Sequence, residues 1–389
     1  MQRVLLMMAD IRPPSLSPQG VVKLLNDYFP FKHIAESSVK ELNSYDDRNY
    51  YFRGHFLGNI PKSEHSSSEN EFVLKVLNWR DSEMKSTVEM QTEVKKFLFS
   101  KGINVPFPVA SVNGTEIVTL SGSSLFSYSE VSCDSQAAQY HYHARVLTYL
   151  PGKLLSDVFV SPSVMFQLGE YIGSVSREMK LFSHPGASAR KLLQWDLQHL
   201  LTLRSLADKS ISDLDKLQVI HKNFHDFEEN VVPMMPTLPH SICHNDLNDM
   251  NIIVEENQLG DVEVVGLIDF NDCVYTPTVF DLGIAMAYAS LERPDPLKSV
   301  APLLSGYLKE NPLTEKEINL LYYVILGRLT QTCVNGEYTY HSDPSNKYIL
   351  THLKPAWETI SKIQATGKKV CDEIWHDAAS KTLKDYLFN

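Results

Sequence analysis

Cysteine is scarce in this 389-residue chain: there are five, scattered at positions 133, 243, 273, 333 and 371. An odd number without paired spacing does not make a disulfide framework and suits a reducing compartment, the cytosol. A basic excess is missing too, with a net charge of −11 and a pI near 5.7. That excludes a general nucleic-acid or membrane-surface binder, which needs a positive face, but not a nucleotide pocket. No apolar run approaches the roughly 18 residues of a membrane span. The opening MQRVLLMMAD has only a short apolar patch, cut off by Asp10, too short for a secretory core. No internal repeat is present. What the chain does have is 43% hydrophobic and 21% charged residues, enough to bury a sizeable core in one large or two smaller domains.

The chemistry concentrates in Ser241–Val274, SICHNDLNDMNIIVEENQLGDVEVVGLIDFNDCV. His244, Asp246 and Asn251 fall in the order H-x-D-x-x-x-x-N, and an apolar run from Val264 to Ile268 leads into Asp269-Phe270. Asn245, Asp246, Asn248 and Asp249 favour turns, because short polar side chains compete for the backbone. A strand Asn251–Val254 and a second strand Glu263–Asp269 would pair as a hairpin, setting the start of one beside the end of the other. Asn251 and Asp269 would then share an oxygen-lined place suited to Mg2+. Asp246 would take the proton of an acceptor hydroxyl, which makes the stretch a phosphotransferase loop. The bland alternative, that these acids only cap turns and a helix, leaves unexplained why the second strand is apolar on both faces.

Upstream, the pattern predicts a helix Val21–Tyr28, a hairpin over Ser38–Phe56 with a polar tip at Asn43–Asn49, and a Ser- and Glu-rich loop Pro61–Asn70. The tip lacks the glycines of a phosphate-covering loop, so a plain surface hairpin fits equally. The strand Glu71–Leu77 carries Lys75, which either meets nucleotide phosphates or lies on a solvent face. In the following helix, Met84–Ser100, Glu89 and Glu93 share one side and either suits Lys75 as partner. Asn113-Gly114 predicts a hairpin between Val109–Val112 and Glu116–Leu120. The strand His143–Leu150 stops at Pro151-Gly152. In a two-lobed molecule the backbone of Thr148 and Leu150 would there meet a purine edge, while an ordinary strand before a turn fits the local residues as well. Beyond it, helical spacing marks Pro162–Leu181, Leu192–Ala207, Ser212–Val231, Asp281–Leu291, Thr314–Thr332, Asn346–Ile363 and Cys371–Leu387. Leading strands and trailing helices predict an α+β chain with a smaller β-rich N-terminal lobe, 1–150, and a larger, mostly helical C-terminal lobe, 151–389.

His244-Asn245-Asp246-Leu247 with Asn251, and Ile268-Asp269-Phe270 followed by Asp281-Leu282-Gly283, resemble the aminoglycoside phosphotransferase and choline kinase-like group. S-Y-D-D-R-N at 44–49, H-P-G-A at 184–187, W-D-L at 195–197 and D-L-N-D at 246–249 look most like the branch that phosphorylates 5-hydroxylysine. The similarity runs from about Ser38 to about Leu350. It implies a bilobal protein-kinase-like fold with Asp246 as catalytic carboxylate, Asn251 and Asp269 on magnesium, and Lys75 on the nucleotide phosphates with Glu93 as its partner. It further implies GTP, or ATP, as donor and the 5-hydroxyl of 5-hydroxy-L-lysine as cytosolic acceptor. Choline, ethanolamine or an aminoglycoside-like alcohol, and a nucleotide-binding scaffold without activity, are the rival expectations. An acceptor with an extra ammonium wants acids nearby, for which Asp249 and Asp272 are candidates, with turn capping their equal alternative. Asp281 is expected to cap the helix it begins. The chain departs from the group at Asn245, where glycine is usual; asparagine is the non-glycine residue most at ease in a left-handed conformation.

Overall fold

The computed structural model describes residues 12–44, 46–61, 70–130, 137–190, 193–342 and 350–388. It divides into two compact units, Met1–Pro151 with His184–Ala189, and Gly152–Ser183 with Arg190–Asn389.

The first unit begins with helix α1, Pro18–Tyr28, whose Ser17 hydroxyl accepts from the Gly20 N–H and whose proline occupies the first turn, where its missing N–H costs nothing. Strands β1 (Phe31–Leu42), β2 (Arg48–Phe56) and β3 (Glu71–Val76) follow, then helix α2 (Lys85–Ser100), β4 (Pro108–Val109), β5 (Val118–Ser121) and β6 (His141–Thr148). They form a six-stranded sheet in the order β1-β2-β3-β6-β4, with β5 also on β6. The edge strand β1 is mostly exposed, slips register twice against β2 and holds His33 at a positive φ. A charged, bulged edge of this kind resists pairing with another chain. Central β6 is buried along six consecutive residues, as a strand covered on both faces must be. The core beside α1 is aromatic, with the Phe31 ring edge-on to Phe52 and Phe72 at 5.1 and 4.8 Å.

One expectation fails here. The Asn113-Gly114 turn forms, with the Gly114 N–H on the Ser111 carbonyl, the Ser111 N–H on the Thr115 carbonyl at 2.7 Å and Gly114 at φ 80, but beyond that closing bond its flanks form no ladder with each other. β4 docks on β6 at Leu147 and Val146, and β5 docks on it between Ala144 and His141. Two short flanks gain more from the long buried strand than from one another. The expected loop residues 62–69 and the start of the expected helix at 346 lie outside the described residues.

The second unit holds β7 (Lys153–Leu154), α3 (Pro162–Met179), α4 (Leu214–Asn230), β8 (His240–Cys243), β9 (Ile252–Glu256), β10 (Val262–Leu267) and β11 (Val274–Pro277). After these come α5 (Val279–Ala289), α6 (Ala301–Glu310), α7 (Glu315–Ser342), α8 (Leu350–Thr366) and α9 (Lys368–Phe388). The strands make a three-stranded sheet, β10-β9-β7, and a pair, β11-β8. The segment read as one helix over Leu192–Ala207 is instead a 3-10 turn, Leu197–Leu203, capped by the Asp196 carboxylate, followed by a short helix Arg204–Ser210. Helix α7 starts on a reciprocal cap, in which Glu317 accepts from the Thr314 N–H and the Thr314 hydroxyl accepts from the Glu317 N–H. It runs ten residues past the expected end at Thr332. Helix α6 was not anticipated. It lies so close to α3 that a Cβ on Gly169 would sit 2.0 Å from the Leu303 carbonyl oxygen, and one on Gly306 2.0 Å from that of Phe166.

Those glycines are a requirement of the packing, since the obstructing atoms are main chain and cannot swing aside. Gly169→Ala and Gly306→Ala should each cost about 1–3 kcal/mol of stability, read as a lowered midpoint in urea unfolding. A change below that range would mean the helices separate freely.

Candidate active site

Strand β8 ends at Cys243 opposite Val274 of β11, and the chain then enters the loop His244–Asn251. Its first two N–H groups point at one acceptor: His244 N donates to Asp281 Oδ2 at 2.8 Å and Asn245 N to Oδ1 at 2.7 Å. Asp281 lies in the first turn of α5 and is 4% exposed. The expectation that it caps that helix is corrected: its carboxylate is spent on the loop of another element. Burial pushes the Asp281 carboxyl up from its ordinary range, while His244 and the two N–H groups pull it back. Taking both donors turns the backbone sharply, and Asn245 sits at φ 66. Asparagine tolerates that left-handed conformation better than other side-chain-bearing residues. Its amide is fully buried with neither polar atom hydrogen-bonded.

His244 ties the loop to the next strand. Its Nδ1 accepts from the Asp246 N–H at 3.3 Å, so its Nε2 carries the proton and donates to the Ile268 carbonyl at 2.9 Å. The ring meets Phe270 edge-on at 4.7 Å. With both nitrogens committed to main chain, His244 organises and does not shuttle protons.

Asp246 is held on both oxygens. Oδ2 accepts from Asn248 Nδ2 at 3.0 Å and from Asn251 Nδ2 at 2.8 Å, and Oδ1 accepts from Arg328 Nη2 at 3.1 Å. Its side chain remains 24% exposed. The Asn248 oxygen accepts from the Met250 N–H at 2.9 Å, a local turn that a short amide side chain makes readily. Asn251 also gives Nδ2 to the Asp246 carbonyl, which leaves its amide oxygen as the end that can meet a cation. The Asn251 carbonyl accepts from the Ile268 N–H at 2.9 Å, and β9 pairs with β10 from Ile252 opposite Leu267. The hairpin therefore brings the backbone of Asn251 alongside that of Ile268, next to Asp269. Asp269 itself sits at φ 60, ψ 72, a left-handed conformation costing about 1–2 kcal/mol in a non-glycine residue.

Asp249 Oδ1 lies 3.2 Å from His352 Nε2, and Asp272 Oδ1 lies 3.8 Å from Arg190 Nη1, which also donates to the Asn271 carbonyl at 2.6 Å. Both acids thus already carry a nitrogen partner. Among the described residues no group of three or more His, Cys, Asp or Glu is poised on a metal. Asn251 and Asp269 contribute an amide oxygen and a carboxylate, the donor types that a hard cation takes.

In the first unit, Lys75 is buried and its Nζ lies 3.5 Å from Asp47 Oδ2. Asp47 is fixed in turn by the N–H and the amide of Asn78, at 2.8 and 3.1 Å. The expected partner Glu93 is corrected: it is 44% exposed and pairs with Lys96 at 3.0 Å, while Glu89 pairs with Lys85 at 3.6 Å. The buried face of α2 instead presents Gln91 and Thr92, which accept from Arg145 at 3.2 and 3.4 Å. Thr148 gives its N–H to the Phe107 carbonyl at 2.9 Å and its hydroxyl accepts from the Phe107 N–H at 2.8 Å; Leu150 is buried just before Pro151.

Three partners carry no mark in the sequence reading: Asp47 in the first unit, and Arg328 and His352 in the second. Arg328 had a signal, a lone guanidinium in the apolar run Leu320–Leu329, where burial is expensive unless an anion meets it.

The left-handed turn at Asn245 can be tested directly. Asn245→Val should lose about 1–3 kcal/mol of stability, because a branched side chain resists positive φ, whereas Asn245→Gly should stay within about 1 kcal/mol of the parent. Thermal or urea unfolding measures both, and equal losses would contradict the geometry.

A family model described as "Phosphotransferase enzyme family" matches residues 38–317. The chain is 28% identical to the hydroxylysine kinase of Xenopus laevis over 375 residues, 94% of each chain. It is 29% identical to that of Mus musculus over 363 residues, 92% of this chain and 91% of that protein. Among solved structures, the amicoumacin kinase hAmiN, in complex with AMP-PNP, Ca2+ and Ami, superposes with a TM-score of 0.61 at 17% identity, over 95% of this chain and 97% of that one. At that identity the likeness speaks for the fold, which is kinase-like, with a β-rich N-terminal region and a mostly helical remainder. Since the matched span contains Lys75 and the whole stretch from His244 to Asp281, this chain belongs to the phosphotransferase enzyme family.

Proposed function

We propose that the protein transfers the γ-phosphoryl group of GTP to the 5-hydroxyl of 5-hydroxy-L-lysine in the cytoplasm. The observation that carries the reading is the Asp246 carboxylate, oriented by donors on both oxygens yet still open to solvent beside the Asn251 amide. The names of the relatives that match along more than nine-tenths of the chain support the acceptor. Asp246 orients the acceptor hydroxyl and receives its proton as the new oxygen–phosphorus bond forms and the bond to the leaving diphosphate breaks. Asn251 and Asp269 would hold Mg2+, whose role when bound is to offset charge on the phosphates. In the first unit Lys75, steadied by Asp47, is the cation for the nucleotide phosphates; the Thr148 N–H being spent on Phe107, its carbonyl and the backbone of Leu150 take the purine edge. Glu93, exposed and paired with Lys96, has no part in this reading. Asp249 and Asp272 read the acceptor's ammonium groups only by exchanging their present partners, His352 and Arg190.

Two measurements test this. Incubation with labelled GTP and hydroxylysine should give a phosphorylated amino acid, and Asp246→Ala should lower kcat by about 100- to 10,000-fold; turnover of choline or ethanolamine but not hydroxylysine would overturn the acceptor, and near-parent activity of Asp246→Ala would overturn the base. In a thermal-shift series, Mg-GTP should raise the melting temperature more than Mg-ATP, because the ligand held more tightly by the native state stabilises it more. The opposite order would make ATP the donor.

A further inference from the structure

Asp246 takes two of its side-chain donors from its own loop, Asn248 and Asn251, and both go to Oδ2. The third comes from far along the chain: Arg328 of α7 reaches Oδ1. Arg328 is 1% exposed and is itself held rigidly. Its Nη1 donates to the Trp195 carbonyl at 2.9 Å and to Gln331 Oε1 at 3.3 Å. The guanidinium carbon lies 4.8 Å from the Trp195 ring centre and 5.4 Å from that of Tyr288, contacts that favour a planar cation.

A carboxylate offers about four lone-pair positions, two on each oxygen. With two donors on Oδ2 and one on Oδ1, the position left for an acceptor hydroxyl is on Oδ1, the oxygen that Arg328 holds. The two amides on Oδ2 alone leave the group free to pivot about that atom; the guanidinium on Oδ1 stops the rotation. We infer that Arg328 is a positioning residue, which fixes the Asp246 carboxylate so that Oδ1 receives the proton of the acceptor hydroxyl. This rests on Asp246 being the catalytic carboxylate, and it goes beyond that reading by naming the atom and the group that aims it.

The test is steady-state kinetics of Arg328→Lys and Arg328→Ala beside Asp246→Ala, with GTP and a panel of hydroxylysine, ethanolamine, choline and an aminoglycoside. Arg328→Lys keeps the charge but loses the planar fork, so kcat should fall about 100-fold, the effect of a misplacement near 1 Å, with KM for GTP and acceptor little changed. Millimolar guanidinium should restore part of the kcat of Arg328→Ala and none of that of Asp246→Ala, since the free ion fits the space the side chain vacated. A folded Arg328→Lys with parent kcat would overturn the proposal, as would a loss that appears in KM alone or a failure of guanidinium to rescue a folded Arg328→Ala. If hydroxylysine is inert but another alcohol in the panel is turned over with the same sensitivity to Arg328, the acceptor reading fails and this one stands. Activity retained by Asp246→Ala, or no turnover of any acceptor, would overturn both.

Discussion

The arrangement depends on one buried carboxylate. Asp281 takes two consecutive backbone N–H groups, from His244 and Asn245, and an acceptor that collects neighbouring donors obliges the chain between them to curl. The left-handed residue at 245 follows from that demand. So does the departure of the loop from strand β8, which would otherwise run straight on. A carboxylate is costly to bury, and the donors aimed at it are what make the burial tolerable. From this fixed start, His244 reaches Ile268, Asn251 reaches Asp246, and the side chain at 246 is left facing outward with its rotation restrained.

Much of this was legible in the residues because it is local. Asp246 and Asn251 are five apart, and the return strand β10 lies a short hairpin away, so spacing and alternation were enough to set Asn251 beside the end of that strand. The asparagine at 245 was also readable as a residue able to hold an unusual backbone angle. Arg328 was not, because it lies 82 residues from the carboxylate it touches, and helical periodicity records which residues share a side, not what that side meets. The same limit explains Glu93. Its spacing from Glu89 was read correctly, but nothing in that spacing said that Gln91, Thr92 and Lys95 would turn inward. The lysine on β3 meets a carboxylate instead in the hairpin tip, at Asp47, in a turn whose residues suit a phosphate-covering loop and a plain surface hairpin equally.

The strands teach a related lesson. Asn113-Gly114 makes its tight turn, as the dipeptide dictates, yet the flanking residues join β6 separately. Turn chemistry decides where the chain reverses; which strand each arm then joins is decided by the buried surface on offer. In the second unit the close approach of α3 and α6 is likewise a property of pairs of residues, Gly169 against Leu303 and Gly306 against Phe166, that no single helix displays alone.

The unit built around the six-stranded sheet is discontinuous in the chain, since His184–Ala189 returns to it after a helix that belongs elsewhere. The turn Pro185–Ser188 within that segment brings Gly186 so near Ser86 that a methyl group there would collide with its carbonyl oxygen. Recombination between relatives therefore has no single seam at which to cut. A chimera joined at Pro151 would inherit its sheet from one parent and this small piece from the other, and the mismatch would fall on a glycine with no room to adapt.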